Sequence, residues 1–423
     1  MVSLGVSLML NKVVITGLGV VSCLGHEVEQ FWQALLAGKS GIKMISKFDT
    51  TDFATKFAGE INDFDPLLYM DKKFVNRTDL FDQYAMTASI KALAMANLTA
   101  ENMSSAQKEN TAVLIGSGMG GMANYYENSI RLSENGPRKV RPIFIPATIL
   151  NMASGRVATQ FGFMGLNYAT CSACASSAHA IMTAFDAIRV GRCEIAVAGG
   201  TEGAMVPLSV AGFNACKALS TDNENFQTAS RPFDVKRNGF VIAEGAGILI
   251  MESENSAKKR GAKILAEMAG IGASCDAYDD VHPREDAYGV ELAVKRALEN
   301  ANVSADVVDY VNTHGTSTLA GDVAECQGVA RVLGDHKKNV LINSTKSLIG
   351  HSLGAAGGIE AVVCVKSILD QKVHISANVQ EVDPLIELPV ATKTQSKKID
   401  FALSNSFGFG GHNCSILFKK YDS

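Results

Sequence analysis

Short β-branched and apolar runs alternate along this chain with longer stretches whose apolar positions recur at helical spacing. The first pattern predicts strands at Lys12–Val21, Ala112–Ile115, Ile195–Ala198, Gly247–Met251, Val307–Asn312 and Phe401–Ser404. The second predicts helices at Glu27–Ala37, Phe81–Ala96, Ala175–Val190, Tyr288–Glu299, Asp322–Val332 and Gly357–Leu369. Strands separated by helices imply an α/β fold with buried parallel strands. No Pro-rich or Ser-rich linker divides the chain, so any two halves must share a core. Two irregular stretches, Asp49–Arg77 and Ser220–Asn238, read as excursions that cover a site or build an interface.

Composition narrows the function. The 423 residues are 47% hydrophobic and 19% charged, a globular balance that excludes a disordered scaffold. A net charge of −4, 7% aromatics and a single Trp give neither the field nor the stacking surface for nucleic acid. No run of about 18 uncharged apolar residues is present, so no membrane helix is expected. Nine irregularly spaced cysteines do not make a secreted disulfide framework. The opening stretch Met1–Asn11 lacks the basic residues of a signal peptide, and Met9 reads as an alternative start. Cytoplasm is the expected address; an organelle stroma or matrix protein without its transit peptide would read the same.

Candidate chemistry concentrates in five segments. In Tyr168-Ala-Thr-Cys-Ser-Ala-Cys-Ala-Ser-Ser-Ala-His179, Cys174 sits directly before a predicted helix among small neighbours. A helix N-terminus favours a thiolate, and small residues admit a bulky acyl group; a buried structural Cys is the competing reading. Cys171 and Cys174 also form a C-x-x-C, without the context of a redox motif. His314, straight after a predicted strand, and His351, in a glycine-rich run, can each donate to an oxyanion or move a proton. Taken singly, each is equally readable as an ordinary histidine. Neither has the paired ligands of a zinc site, and no metal is expected. Gly116-Ser-Gly-Met-Gly-Gly121 lacks the dinucleotide spacing and is read as tight packing beside a pocket. In Ser404-Asn-Ser-Phe-Gly-Phe-Gly-Gly-His-Asn413, Phe407 sits in a glycine-rich loop that can swing an aromatic ring or simply turn the chain.

Together these segments resemble the elongating β-ketoacyl-acyl-carrier-protein synthases, types I and II. The resemblance is carried in order by Ser172-Ala-Cys-Ala-Ser176, Thr228-Ala-Ser-Arg-Pro-Phe-Asp234, Asn312-Thr-His-Gly-Thr-Ser-Thr318 with Gly321-Asp322, Ser344-Thr-Lys-Ser347 through His351, and Asn405-Ser-Phe-Gly-Phe-Gly-Gly411. It runs from about Lys12 to the C-terminus. It implies a thiolase-like fold: two pseudo-twofold-related halves, residues 11–255 and 256–423, forming a five-layered α-β-α-β-α core, usually in a homodimer. It implies an acyltransferase of fatty acid synthesis that condenses malonyl-carrier protein with an acyl group on Cys174. Phosphopantetheine arrives with the carrier protein, and no bound cofactor is expected.

The resemblance also assigns roles by position. His314 and His351 would stabilise the enolate, with Lys346 and Glu325 behind them as an orienting ion pair. The backbone N–H groups of Cys174 and Phe407 would form the oxyanion hole, and Phe407 would act as the gate. Thr316 and Thr318 would bind the pantetheine arm. Met119 and Phe144 would line the acyl pocket, Phe144 near the dimer interface. Lys73, Arg77 and Lys217 would meet the acidic carrier protein. The chain departs from the family pattern at Val281, where a Thr is common near the pantetheine entrance. It departs also at Leu319, at His374–Asn378 and at His412. A thiolase would carry a second Cys within Gly408-Phe-Gly-Gly-His-Asn413, which has none, and a starter-type synthase would have Asn where His351 stands. A polyketide ketosynthase shares all three catalytic residues. A non-catalytic chain-length factor lacks the nucleophile.

Overall fold

The structure, a computed structural model, describes residues 10–422. The expectations placed on Met1–Met9 fall outside the described residues. Ten strands make one continuous hydrogen-bonded series: β1 (Val13–Val21), β2 (Thr111–Gly116), β3 (Asn167–Tyr168), β4 (Ile195–Glu202), β5 (Gly245–Ser253), β6 (Ala266–Cys275), β7 (Tyr310–Asn312), β8 (Leu341–Asn343), β9 (Phe401–Gly408) and β10 (His412–Lys419). Their spatial order is β8-β7-β9-β10-β6-β1-β5-β4-β2-β3. Read inward from each end, the first half runs 3-2-4-5-1, and the second runs the same order with five added to each number. The senses repeat too. β2 is parallel to β3 and β4, and β7 to β8 and β9, while β4–β5, β5–β1, β9–β10 and β10–β6 are antiparallel. One βαβ-based unit has therefore been used twice. Strand pairing joins the two halves at Val13–Met268, Val14–Glu267 and Ile15–Ala266, between β1 and β6.

Helices complete the layers. α1 (Leu80–Met95) covers β1, β4 and β5 on the outer face of the first sheet. α3 (Tyr288–Ala301) covers β6 and β10 on the outer face of the second, with α4 (Leu319–Leu333) packed against it. Between the sheets lie α2 (Ser176–Arg189) and α5 (Ala356–Asp370), the corresponding helices of the two units. α2 rests on β2 and β4 and reaches β10, while α5 rests on β9 and reaches β4 and β5. The result is the five-layered α-β-α-β-α core of the thiolase-like fold.

Strand positions divide between the two faces at period two. Ala112 and Leu114 enter the central layer, while Val113 and Ile115 enter the cluster under α1. A bulge between Ile15 and Gly17 resets this phase in β1, so that Ile15 and Leu18 share a face. A Cβ at Gly17 or Gly19 would stand 2.2 or 1.9 Å from the carbonyl oxygens of Ala92 or Ala88, so these glycines let α1 lie directly on the strand.

Three expectations change. The strands are not uniformly parallel: each half keeps three parallel strands and adds two antiparallel ones. Four strands, β3, β6, β8 and β10, and the helices Met122–Asn135, Met152–Phe161 and Pro207–Ala215 have no counterpart in the sequence reading. In β6 the signal is weakened by Gly270 and Gly272. A Cβ at Gly272 would lie 2.0 Å from the Ala293 carbonyl of α3, so close helix packing selects against the β-branched residues that advertise a strand.

At the start of α1, Asp79 and Asp82 form a reciprocal capping box, and both are buried. Burial pushes Asp79 up to about 7 and Asp82 up to about 8; the Asn124 N–H opposes the first shift and Arg156 the second. Because both folded values exceed the usual carboxylate value, the folded chain holds these protons more tightly than the unfolded one. Their contribution to stability is present at low pH and is lost as pH rises toward about 8. Thermal unfolding is therefore expected to show a lower Tm at about pH 8.5 than at about pH 6.5, a window above the usual histidine value of about 6.5. Asp82→Asn should flatten that slope, and an unchanged slope would reject the assignment.

Candidate active site

A tight turn between β3 and α2 presents Cys174. Ala173 lies in the left-handed region at φ 49°, and two serines hold it there. Ser176 Oγ accepts the Ser172 N–H at 2.9 Å and donates to the Ala173 carbonyl at 2.6 Å, while the Ala175 N–H donates to the Ser172 carbonyl at 3.0 Å. Ser172 Oγ is 2.6 Å from Nδ1 of His179 on the first turn of α2. The Cys174 N–H has no hydrogen-bond partner among the described residues. Gly408 of β9 packs on this turn: a Cβ there would stand 2.7 Å from the Ser172 carbonyl and 3.0 Å from the Cys174 nitrogen.

The second half brings two imidazoles to the same place. His314 follows β7. Glu325 on α4 fixes its loop, each carboxylate oxygen accepting one N–H at 2.8 Å, from His314 and from Gly315. His351 is held by its backbone, its N–H donating to Val241 at 2.7 Å and its carbonyl accepting from Ala243 at 2.8 Å. The His314 and His351 rings stand edge to face, 5.2 Å apart, with Phe407 5.7 Å from His314 and Phe240 5.2 Å from His351. A cavity of about 230 Å³ is lined by Cys174, His314, His351, Phe407, Thr316 and Thr318 among others. The two threonine hydroxyls are 3.1 Å apart.

The ion pair expected between Lys346 and Glu325 is not formed. Glu325 spends its oxygens on backbone N–H groups and on the Asn405 amide at 3.1 Å. Lys346, almost fully buried, pairs instead with Glu360 on the first turns of α5 and places Nζ 3.4 Å from His314 Nδ1. An ammonium has only donors, so His314 Nδ1 must accept, and the proton of the neutral ring resides on Nε2.

Burial dominates the electrostatics. It holds both imidazoles well below their usual value, and the Lys346 charge lowers each further. Both are neutral near pH 7. Burial also pushes the Cys174 thiol up to about 12, against the pull of Lys346 and of the residue's own N–H, while Glu202 and Glu360 reinforce the rise. The helix N-terminus therefore does not by itself deliver a thiolate. The proton must pass to a base as the nucleophile reacts.

The other sequence candidates separate. Met119 packs in the apolar cluster that includes Cys174, Met205, Phe240 and Leu353, but does not line the cavity. Phe144 lies beside Tyr125, also away from the lining. Lys217 is exposed at the cavity mouth together with Val281, whereas Lys73 and Arg77 are exposed elsewhere. The Gly116–Gly121 loop is packing, as read: the N–H groups of Gly118 and Met119 donate to the buried Glu202 at 2.8 and 3.1 Å. Glu202 and Glu360 escaped the sequence reading. Glu202 is the only charged residue of its strand, and Glu360 is the only charged residue in the first ten positions of α5, which was the available signal. Among the described residues no cluster of three or more His, Cys, Asp or Glu is arranged to hold a metal ion. No described helix is long and apolar enough to cross a membrane.

Comparison with known proteins gives consistent matches. The family model "Beta-ketoacyl synthase, N-terminal domain" matches residues 10–257, and "Beta-ketoacyl synthase, C-terminal domain" matches residues 265–380. A 3-oxoacyl-[acyl-carrier-protein] synthase 2 of Vibrio harveyi is 46% identical over 97% of this chain and 99% of its own length. The chloroplastic 3-oxoacyl-[acyl-carrier-protein] synthase I of Arabidopsis thaliana is 44% identical over 97% of this chain and 87% of its own. Among solved structures, a type II polyketide ketosynthase in complex with its acyl-carrier protein and bound to a hexaketide superimposes with a TM-score of 0.89. It is 32% identical and covers 98% of this chain and 100% of that one.

Proposed function

This chain belongs to the β-ketoacyl synthase family, and on that premise we propose how its site performs a decarboxylative condensation as a 3-oxoacyl-[acyl-carrier-protein] synthase of fatty acid synthesis. The observation that carries the reading is the convergence of Cys174 with two neutral imidazoles on one cavity, one of them oriented by a buried lysine.

In the first half-reaction a neutral imidazole takes the Sγ proton as Cys174 attacks the acyl thioester of a carrier protein. The free Cys174 N–H and that of Phe407 receive the oxyanion. When the intermediate collapses, the acyl–S bond to the carrier breaks, and the departing thiolate recovers the proton. In the second, malonyl-carrier protein loses CO₂, and the electron pair of the broken C–C bond becomes an enolate. Its oxygen accepts from the Nε2 protons of His314 and His351, groups that pay no reorganisation because Lys346 and the backbone already hold them. The carbanion attacks the acyl-Cys174 carbonyl, the C–S bond breaks, and the departing Cys174 thiolate takes a proton from water, regenerating the thiol with a product two carbons longer. Phe407 shields the acyl thioester between the two steps. Thr316 and Thr318 take the arm of phosphopantetheine, which arrives on the carrier. Lys73, Arg77 and Lys217 meet the carrier's acidic face; Met119, in the apolar cluster with Cys174, and Phe144, both outside the cavity lining, are assigned to the path of the acyl chain beyond it.

The reading includes a homodimer, supported by the edge strand β3 and by the exposed apolar side chains of Met164 and Tyr168 beside it. It includes a reducing compartment, the cytoplasm or an organelle stroma or matrix, supported by nine cysteines that are all free.

Intact-mass spectrometry tests the reaction. Acyl adducts on Cys174 are expected with a series of acyl-carrier proteins, and should disappear into elongated product when malonyl-carrier protein is added. Replacing His314 or His351 by alanine should slow decarboxylation by at least about 100-fold and acylation by much less. Equal losses in both half-reactions would sink this division of labour, and absence of any adduct would leave a non-catalytic partner.

A further inference from the structure

The two arm-binding threonines are held in place by a buried arginine on a distant segment. Arg237 belongs to the Ser220–Asn238 excursion, and its side chain is 1% exposed. Its Nε donates to the Thr318 carbonyl at 3.0 Å and its Nη2 to the Leu319 carbonyl at 2.7 Å. Its Nη1 donates to the Asp234 carbonyl at 2.9 Å and to Asp383 at 2.8 Å, and Asp322 stands 3.6 Å from Nε. Between the threonines, Ser317 is fully buried in the left-handed region at φ 72°, a conformation that a non-glycine residue keeps only under constraint. That constraint comes from α4 and from the Arg231–Gly239 stretch around Arg237. The Ser317 N–H donates to Asp322 at 3.1 Å, its Oγ accepts the Arg231 N–H at 3.1 Å, and its carbonyl accepts the Gly239 N–H at 3.0 Å. The turn at Ser317 is what brings the Thr316 and Thr318 hydroxyls within 3.1 Å on the cavity wall.

We infer that Arg237 is a positioning residue for recognition of the pantetheine arm: its guanidinium locks the strained Ser317 turn so that the two hydroxyls form one preorganised fork for an amide of the arm. A planar guanidinium with donors in fixed directions can grip two successive carbonyls and a carboxylate together; an ammonium cannot. The inference rests on the proposed acyl transfer. It adds that selectivity for the arm is set by a residue that touches neither the arm nor Cys174.

The test compares acylation of Cys174 by octanoyl-pantetheine and by S-ethyl octanethioate, which lacks the arm's amides, using the full chain and intact-mass kinetics. Arg237→Lys should lower the preference for the pantetheine donor about tenfold through KM, while the rate with the ethyl donor stays within about twofold. Glycine accepts φ 72° without strain, so adding Ser317→Gly to Arg237→Lys should restore much of the preference. Asp383→Asn, which removes one charge at the edge of the clamp, should shift the preference the same way by a smaller factor. It serves as the test if Arg237→Lys does not fold. Equal losses with both donors, or an unchanged preference in both single variants, would overturn the clamp while leaving the reaction standing. A wild-type chain that takes octanoyl from neither donor would overturn the reaction, and the clamp with it.

Discussion

Cys174→Ala is expected to reduce condensation by at least about 10⁴-fold while the protein remains folded. The chemical argument is that Cys174 alone among the cavity's thiols offers an unpartnered backbone N–H for the oxyanion; Cys216 also lines the cavity, but it is exposed beside Lys217 and its N–H is spent on the Gly212 carbonyl at 3.1 Å. Cys174 shares the cavity with both imidazoles and a free N–H, whereas Cys171, at the start of the turn, directs its sulfur to the Gly118 carbonyl at 3.7 Å. The structural argument is that the turn is built by Ser172, Ser176 and His179, none of which bonds to the Cys174 sulfur. Removing that sulfur should therefore cost only about 1 kcal/mol of stability. Product formation, the acyl adduct and Tm measured on the same preparation separate the two effects. Residual turnover above about 1% of wild type would mean that another nucleophile carries the acyl group.

The largest loss of stability is expected from Lys346→Met. Lys346 and Glu360 are each 2% exposed in their side chains and neutralise one another inside the central layer. Removing one member leaves a buried carboxylate without its partner, at a cost of about 3–5 kcal/mol. Burial already holds Glu360 up at about 7, and loss of the ammonium raises it further, so the variant should protonate this group. Its deficit should shrink as pH falls and widen as pH rises, the sign expected when the folded state binds the proton more tightly. Adding Glu360→Gln should return most of the stability, because no charge is then buried. Activity should not return, since His314 Nδ1 no longer faces a donor and Nε2 is no longer compelled to carry the proton. Denaturant melts of the single and double variants, beside their decarboxylation rates, decide it. Recovery of both quantities in the double variant would show that the lysine matters only for folding.

These two variants also mark how far the sequence could be read. Cys174, His314 and His351 were legible because each stands in a run of small or glycine residues beside a strand or a helix start, where a reactive side chain has room. The partner of Lys346 was not. Glu325 and Glu360 lie 21 residues before and 14 residues after Lys346 in sequence, and only the packing of α4 and α5 decides which carboxylate faces the ammonium and which caps a loop. The twofold architecture could be reached through family resemblance but not through periodicity. β3, β7 and β8 are only two or three residues long, and β6 hides behind the glycines that admit α3. The resting thiol was misjudged for a related reason. Helix position is visible in a sequence, whereas the depth of burial that outweighs it is a property of the assembled layers.

The central layer also has a consequence for synthesis on the ribosome. β4 and β5 are complete by Ser253, but α5, which covers their inner face at Leu249 and Met251, begins at Ala356. About 100 residues of further translation separate the two, roughly 5–20 s at ordinary elongation rates. Throughout that interval the nascent first half carries an apolar sheet face that α2 covers only in part. The nascent chain thus passes through a period in which chaperone capture competes with aggregation, and fragments ending before α5 would be left in that state permanently.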